Sequence, residues 1–150
     1  MVRVVGLMAL RSHLLAAVSF GPYDAGEISY AADLWSSVPS DSLTIVDRGF
    51  FSARILITLE AGGTNRHWLI RSKKNLRWRV VQRLSARDDL VEMTVSRAAR
   101  SKQPSLPKTW LMRAVTYQRK GFRAQTLLTS LVDAEAFPAQ EIALSDRHWI

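Results

Sequence analysis

The stretch "LTIVDRGFFSARIL", residues 43 to 56, places a charged Asp-Arg pair directly after an apolar, β-branched run. Residues 43 to 46 predict a buried strand, because β-branched side chains suit a pleated sheet and the run is too short for a helix. Asp47 would then stand at the carboxyl end of that strand, where α/β sheets gather their ligands. Two interpretations of this acid follow. It is either a metal-binding or catalytic carboxylate, or a turn residue that caps the next helix.

The rest of the chain predicts an α/β protein with the element order β-β-α-β-α-β, a basic β segment, a further strand and a last helix. The predicted elements are a hairpin (2–10 and 13–20), a helix of about three turns from Glu27, the strand ending at Asp47, a helix capped by Ser52 and stopped by Gly62 and Gly63, a strand at 67–71, antiparallel strands from Lys73 to Gln125 around the loop 100–108, a return strand at 124–131, and a helix at 138–150. This order resembles the ribonuclease H-like plan without its opening strand.

Positive charge is concentrated in one segment of the chain. The formal net charge is +8, but 16 of the 21 Lys and Arg and three of the 13 acids lie between Arg66 and Arg123. That segment therefore carries a net charge of +13, and the rest of the chain −5. Such a surface attracts phosphate backbones, so nucleic acid is the first partner to consider. The alternatives are a merely solvated basic face and an anionic membrane surface, and the second lacks an amphipathic-helix pattern.

Composition excludes several other classes of protein. The chain has 150 residues, 47% of them hydrophobic, which suits one globular domain. It contains no cysteine, so disulfides and thiolate zinc sites are excluded. No apolar run approaches the roughly 20 residues that cross a bilayer. We therefore expect a cytoplasmic protein with no membrane partner.

Several motifs resemble DDE transposases of bacterial insertion sequences, of the insertion-sequence-four type. Those proteins carry an Asp-Arg-Gly-Phe or Tyr segment at the end of a buried strand, then a helix, then a strand leading into an Arg-x-Lys-Lys-Asn-like stretch. Here "DRGFF" and "RSKKN" match in that order, within residues 41 to 63 and 67 to 78. "GPYDAGE", residues 21 to 27, and "LVDAEAFPAQEIA", residues 131 to 143, are similar to the connecting segments of that family.

The resemblance implies a ribonuclease H-like fold whose two Asp and one Glu hold two Mg2+ (or Mn2+) ions that cut and rejoin DNA strands. Asp47 would be the second acid of this triad. Six residues would contact DNA: Arg48, Arg71, Lys73, Lys74, Asn75 and Arg147. The implied partners are transposon ends and target DNA, with a homodimer in the intact enzyme. The implied location is the bacterial cytoplasm, associated with the nucleoid.

The resemblance also implies a domain division and two departures from the family. Residues 1–150 would form one partial catalytic domain: a ribonuclease H-like core at 1–74, an inserted basic antiparallel β segment at 75–117, and a return strand and final helix at 118–150. The family places its first Asp on a strand before the hairpin, and its Glu would fall one residue beyond Ile150. We therefore expect a chain that is inactive by itself. The alternative is a non-catalytic nucleic-acid-binding protein that uses the basic β segment.

Aromatic and histidine residues leave two further alternatives. Trp68, Trp78 and Trp110 lie among Arg and Lys, so they either stack on exposed bases or anchor strands in the core. The three histidines have no metal-ligand spacing and are interpreted as structural or surface residues.

Overall fold

We describe residues 2–9, 14–22 and 34–147 of a computed structural model, with side chains for residues 34–146. The elements are β1 (Val2–Ala9), β2 (Leu14–Pro22), a 3-10 turn (Trp35–Ser37), β3 (Ser42–Val46), a second 3-10 turn (Arg48–Phe50), α1 (Ala53–Ala61), β4 (Arg66–Arg71), β5 (Arg79–Ser85), β6 (Asp88–Thr94), α2 (Arg97–Lys102), β7 (Thr109–Tyr117), β8 (Gln125–Thr129) and α3 (Ala139–Arg147). The α/β class is confirmed.

The strands form two separate sheets. β1 and β2 pair antiparallel, with Val2 opposite Pro22 and Ala9 opposite Leu14, which confirms the predicted hairpin. The other six form a mixed sheet in the order β3-β4-β8-β7-β6-β5. β3 and β4 are parallel, and every other neighbouring pair is antiparallel. This mixed sheet is consistent with the ribonuclease H-like plan.

The strands of the basic segment, β5 to β7, belong to this same sheet. The strands β5, β6 and β7 pair in sequence, and β7 then pairs with β8. The division of the chain at residues 74 and 117 stays a prediction. The predicted loop 100–108 begins later than expected, because α2 covers residues 97–102 and Ser96 caps it by accepting the Ala99 N–H.

The predicted helix from Glu27 lies outside the described residues, except for the 3-10 turn at its end. The predicted last helix is described as far as Arg147. Among the described residues, no helix is long and apolar enough to cross a membrane.

β3 is less buried than its apolar sequence predicts. Val46 is buried, but Leu43, Thr44 and Ile45 are half-buried. The reason is position: β3 is the outermost strand of the described sheet beside β4, so its far edge has no described neighbour.

Two apolar clusters lie on opposite faces of the sheet, as the alternation of strand side chains requires. One face packs against α1 through Ile55, Leu56 and Leu59 and contains the buried Trp68 and Trp110. The other face packs against α3: Ile142 joins Leu69, Val115, Leu127 and Leu131.

A buried ion pair ties the sheet to the segment that leads into α3. The Arg113 guanidinium donates from Nε and Nη2 to the two Asp88 carboxylate oxygens at 2.7 and 2.6 Å. Its Nη1 donates to the carbonyls of Leu131 and Phe137 at 3.2 and 2.6 Å. Both charged side chains are almost completely enclosed. One residue of β7 therefore holds the start of β6 and both ends of the connection between β8 and α3.

The two glycines after α1 allow the Arg66 side chain to lie close to the backbone. The helix ends there as predicted, but Gly62 has φ −76°, so no left-handed residue is needed. A Cβ on Gly63 would lie 2.5 Å from Cδ of Arg66, whose side chain is 5% exposed. Arg66 crosses both glycines and donates from Nη2 to the Trp35 carbonyl at 2.5 Å. The two glycines therefore leave room for a buried arginine.

The Asp88→Asn variant tests the buried ion pair. Removing the carboxylate charge leaves the enclosed guanidinium without a counter-ion, so we expect the free energy of unfolding to fall by about 3 kcal/mol. Asp89→Asn is the matched control, because its partner Arg83 is 68% exposed and such pairs contribute about 1 kcal/mol or less. Urea unfolding measures both variants. Equal midpoints for the two would contradict the structural role of Asp88.

The Gly63→Ala variant tests the packing of the Arg66 side chain against the glycine. The added methyl group must displace an enclosed side chain, so we expect a loss of about 1 to 3 kcal/mol in unfolding free energy. The same substitution in an Arg66→Ala background should cost much less, because the obstacle is gone. An unchanged cost in that background would mean that the glycine is needed for another reason.

Candidate nucleic-acid interface

The strands β3, β4, β7 and β8 each have one end at the same edge of the six-stranded sheet. This edge is formed by the ends of the strands and not by the side of an outermost strand. The parallel strands β3 and β4 end side by side, since Val46 pairs with Ile70, and Asp47 and Arg71 come next on each strand. At the same edge β7 ends and β8 begins, with Tyr117 opposite Gln125. Loops that leave such an edge converge, so side chains distant in sequence come together there.

Asp47 is exposed and caps a short turn. Its Oδ1 accepts the Gly49 N–H at 2.8 Å, and its carbonyl accepts the Phe50 N–H at 2.9 Å. A Cβ on residue 49 would lie 3.0 Å from that same Oδ1, so a larger residue there would displace the capping carboxylate slightly. The turn interpretation of the sequence is therefore correct for one carboxylate oxygen. The metal-binding interpretation stays a prediction.

The described residues do not fit a two-metal centre. Within residues 34–146, no three carboxylate or imidazole side chains lie close enough together to hold a metal ion. Asp47 has one oxygen engaged by a backbone N–H. Each Mg2+ ion normally takes one or two carboxylates together with phosphate oxygens and water, so one acid cannot organise two ions.

A buried carboxylate lies at this edge instead. Asp146 of α3 is 2% exposed and accepts the Nε–H of Arg71 with both carboxylate oxygens, each at 3.1 Å. It also accepts the Tyr117 hydroxyl at 2.5 Å. Asp146 thus joins β4 to β7 across the intervening β8.

The neighbourhood of Asp146 changes the acidity of the phenol. Burial, followed by the hydrogen bond to the Asp146 carboxylate, raises the pKa of Tyr117 above its usual value. The hydroxyl therefore stays protonated at neutral pH and remains a donor.

The sequence did not identify Asp146, although a signal was present. It lies four residues after Ile142, and residues four apart share one face of a helix. Ile142 is buried against the sheet. An acid on a buried helix face needs a partner, so this spacing predicts that Asp146 is paired, without naming the partner.

The predicted DNA contacts are distributed around this edge. Arg48 lies in the exposed turn after β3, and Lys73, Lys74 and Asn75 are exposed in the connection after β4. Arg71 is partly exposed and held by Asp146. Arg147 is the last described residue of α3. All six DNA-contact assignments stay predictions.

The alternative that Trp68 and Trp110 stack on bases is wrong. These side chains are 0% and 7% exposed, and their rings contact each other at a centroid distance of 5.5 Å. Trp68 also donates from Nε1 to Glu60 at 2.5 Å, and burial raises the pKa of that carboxyl group above its usual value. The anchor interpretation is correct for both. Trp78 is partly buried against the same cluster.

His67 is a structural residue, as expected. Its two ring nitrogens form hydrogen bonds with the Ser130 hydroxyl at 3.1 Å and the Asn65 side-chain oxygen at 2.9 Å. The ring therefore links the start of β4 to the end of β8.

Comparison with known proteins gives two curated relatives and one family. The chain is 35% identical over 149 residues to "Transposase InsG for insertion sequence element IS4" of Escherichia coli strain K12, covering 99% of this chain and 34% of that protein. It is 39% identical over 74 residues to "Putative transposase InsZ" of the same organism, covering 49% of this chain and 25% of that one. The chain thus spans about a third or less of the length of these relatives. No solved structure gives a significant match.

The family model described as "Transposase DDE domain" matches residues 1–150. That match includes the exposed Asp47, the turn that it caps and the basic connection after β4. With both relatives being transposases, one of them from the insertion sequence element IS4, the chain belongs to the DDE transposases of the IS4 type.

Proposed function

We propose that this chain is a DNA-contacting part of a transposase catalytic domain, and that it takes part in the strand cleavage and strand transfer of DNA transposition. The observation that carries the proposal is a set of exposed Lys and Arg side chains within a chain that matches the family along its whole length. Ten Lys and Arg side chains between residues 66 and 123 are exposed and not joined to Asp88, Asp89 or Glu92: Lys73, Lys74, Arg77, Arg87, Arg97, Lys102, Lys108, Arg119, Lys120 and Arg123.

Four of the arginines in this segment are buried or paired with Asp89 or Glu92, and we assign them to structure rather than to DNA binding. Arg66 and Arg113 are enclosed. Arg79 and Arg83 form ion pairs with Glu92 and Asp89. The remaining charge stands mainly on the loops and on α2, where phosphate oxygens can reach it.

The role proposed for Asp47 is that of one metal-binding acid in the complete catalytic domain. Its exposure at the carboxyl end of β3 supports this role, because a metal ion and DNA can approach it from outside. Among residues 34–146, Asp47 is the one acid to which we assign this role, so we expect no strand cleavage from these 150 residues alone. A homodimer of the complete enzyme and its association with the nucleoid belong to the same proposal.

A second candidate function is binding of nucleic acid without cleavage. It is supported by the capping role of Asp47 and by the lack of a three-acid cluster among residues 34–146. Under this alternative, the basic β segment grips phosphate and Asp47 only shapes the turn.

DNA binding is tested with the 150-residue chain and a short DNA duplex at several KCl concentrations. Fluorescence anisotropy should show binding that weakens with salt. The double variant Lys73→Ala, Lys74→Ala should lower the slope of log K against log salt by up to about two, roughly one for each lost phosphate contact. Asp47→Ala should leave the slope unchanged or make binding tighter, since it removes a negative charge. No salt-dependent binding by the unchanged chain would overturn the proposal.

Catalysis is tested in a transposase chain that contains this segment together with the other acids. Asp47→Asn there should reduce strand cleavage by several orders of magnitude while DNA affinity changes little, because the substitution keeps the turn and removes a metal ligand. Arg48→Gln, one residue away, is the control for local disturbance and should reduce cleavage far less. Full cleavage by the Asp47→Asn protein would favour binding without a catalytic role for this acid.

A further inference from the structure

A basic cavity lies beside Asp146 and Arg71, at the edge of the sheet where Asp47 stands. Its volume is about 230 Å³, against about 30 Å³ for one water molecule in the liquid, so a phosphate group with ordered water fits inside. The lining residues come from the end of β4, the end of β7, the β7–β8 turn and the start of β8: Arg71, Tyr117, Arg119, Phe122, Arg123 and Gln125. Three of the six are arginines, and none of the acids in the described part of the chain lines the cavity.

We propose that this cavity binds one backbone phosphate of DNA, and that Asp146 is a positioning residue that orients Arg71 toward it. The inference deepens the proposed DNA-contacting function and rests on it. It adds Arg119 and Arg123 as phosphate ligands and gives Asp146 a role in binding, although Asp146 itself carries a negative charge.

The hydrogen bonds of Arg71 support this assignment. Both Asp146 oxygens contact the Nε–H, which leaves the outer fork of the guanidinium uninvolved in that pair. Within residues 34–146, neither Nη atom of Arg71 has a hydrogen-bond acceptor. Two parallel N–H donors on one guanidinium match two oxygens of a phosphate group. The side chain is about a third exposed, so an outside ligand can reach it.

The β7–β8 turn brings the other two arginines. It is held by hydrogen bonds from the Phe122 N–H to the Arg119 carbonyl and from Gln118 Nε2 to the Phe122 carbonyl, both at 3.0 Å. Gly121 has φ +84°, a left-handed conformation that glycine adopts without strain. The Arg119 guanidinium lies 5.0 Å from the centre of the Phe122 ring, which limits where that cation can go.

The position of the cavity relates it to Asp47. Both belong to the same edge of the sheet, with β4 between β3 and β8. Neighbouring strands are about 4.8 Å apart, so the start of β8 lies about 10 Å from the end of β3. A DNA strand that passes along this edge can contact the cavity and approach Asp47 at once.

Alanine substitutions in the β7–β8 turn test the cavity, with Lys120→Ala as the matched control. Lys120 is exposed on the same turn and carries the same charge, but it does not line the cavity. We expect Arg119→Ala and Arg123→Ala each to weaken binding of the short duplex roughly tenfold, as for loss of a charge-assisted hydrogen bond, and to lower the salt slope by about one. Lys120→Ala should weaken binding only about twofold, by its long-range charge.

The possible results of that comparison bear on the cavity and on the proposed function separately. Equal losses for all three variants would overturn the cavity as a site and leave diffuse attraction, with the proposed function intact. No binding by the unchanged chain would overturn the proposed function and the cavity together. Far-UV circular dichroism and the urea midpoint of each variant exclude unfolding as the cause of a loss.

A double-mutant cycle tests Asp146 as a positioning residue. Asp146→Asn should weaken DNA binding severalfold in the parent chain and cause no further loss in an Arg71→Ala background. A merely structural role would cost affinity in both backgrounds. Tyr117→Phe removes one donor to Asp146 and keeps the ring, so it should give a smaller loss that also depends on Arg71. Tighter binding by Asp146→Asn would mean that Asp146 competes with phosphate for Arg71, and would overturn the positioning role.

Discussion

The enclosed pair of Arg113 and Asp88 is the constraint on which the candidate interface depends. Removing two charges from water is costly, and the cost is offset only where every donor and acceptor is matched. Here the guanidinium satisfies two carboxylate oxygens and two backbone carbonyls at once. Because those carbonyls belong to Leu131 and Phe137, the pair sets the course of the connection from β8 to α3. Together with the burial of Ile142 against the sheet, this course sets the position of α3 and therefore of Asp146.

The protein uses arginine–aspartate pairs in two different settings. The Arg113 guanidinium is completely enclosed, so all of its bonding is internal and its role is to hold elements together. Among residues 34–146, Arg71 is bound only through Nε, and it stays about a third exposed, so part of its bonding capacity faces outward. The exposed pairs of Arg79 and Arg83 contribute little to stability. Burial thus distinguishes the cations that build the sheet from those available to a phosphate backbone.

Much of the fold could be predicted from local pattern. β3, α1, β4 and β8 lie where the apolar period and the turn residues placed them, since these short elements follow local propensity and burial of one face. The environment of individual side chains was harder to predict. Trp68 and Trp110 stand near arginines in the sequence, yet alternation along the strands turns both rings into the core, where Arg66 and Arg113 are buried as well. The half-buried state of β3 depends on its outermost place in the described sheet, which no local pattern encodes.

For the candidate site as well, some features could be predicted from local sequence and others could not. The sequence by itself determined the family motifs, the concentration of positive charge between residues 66 and 123, and the place of Asp47 after an apolar strand, because these are properties of neighbouring residues. Only the tertiary structure decided that Asp146 meets Arg71 and Tyr117, and that the β7–β8 turn stands beside them. These residues are up to 75 positions apart in the chain. Their contact results from strand order and from the packing of α3, both set by long-range burial rather than by local sequence.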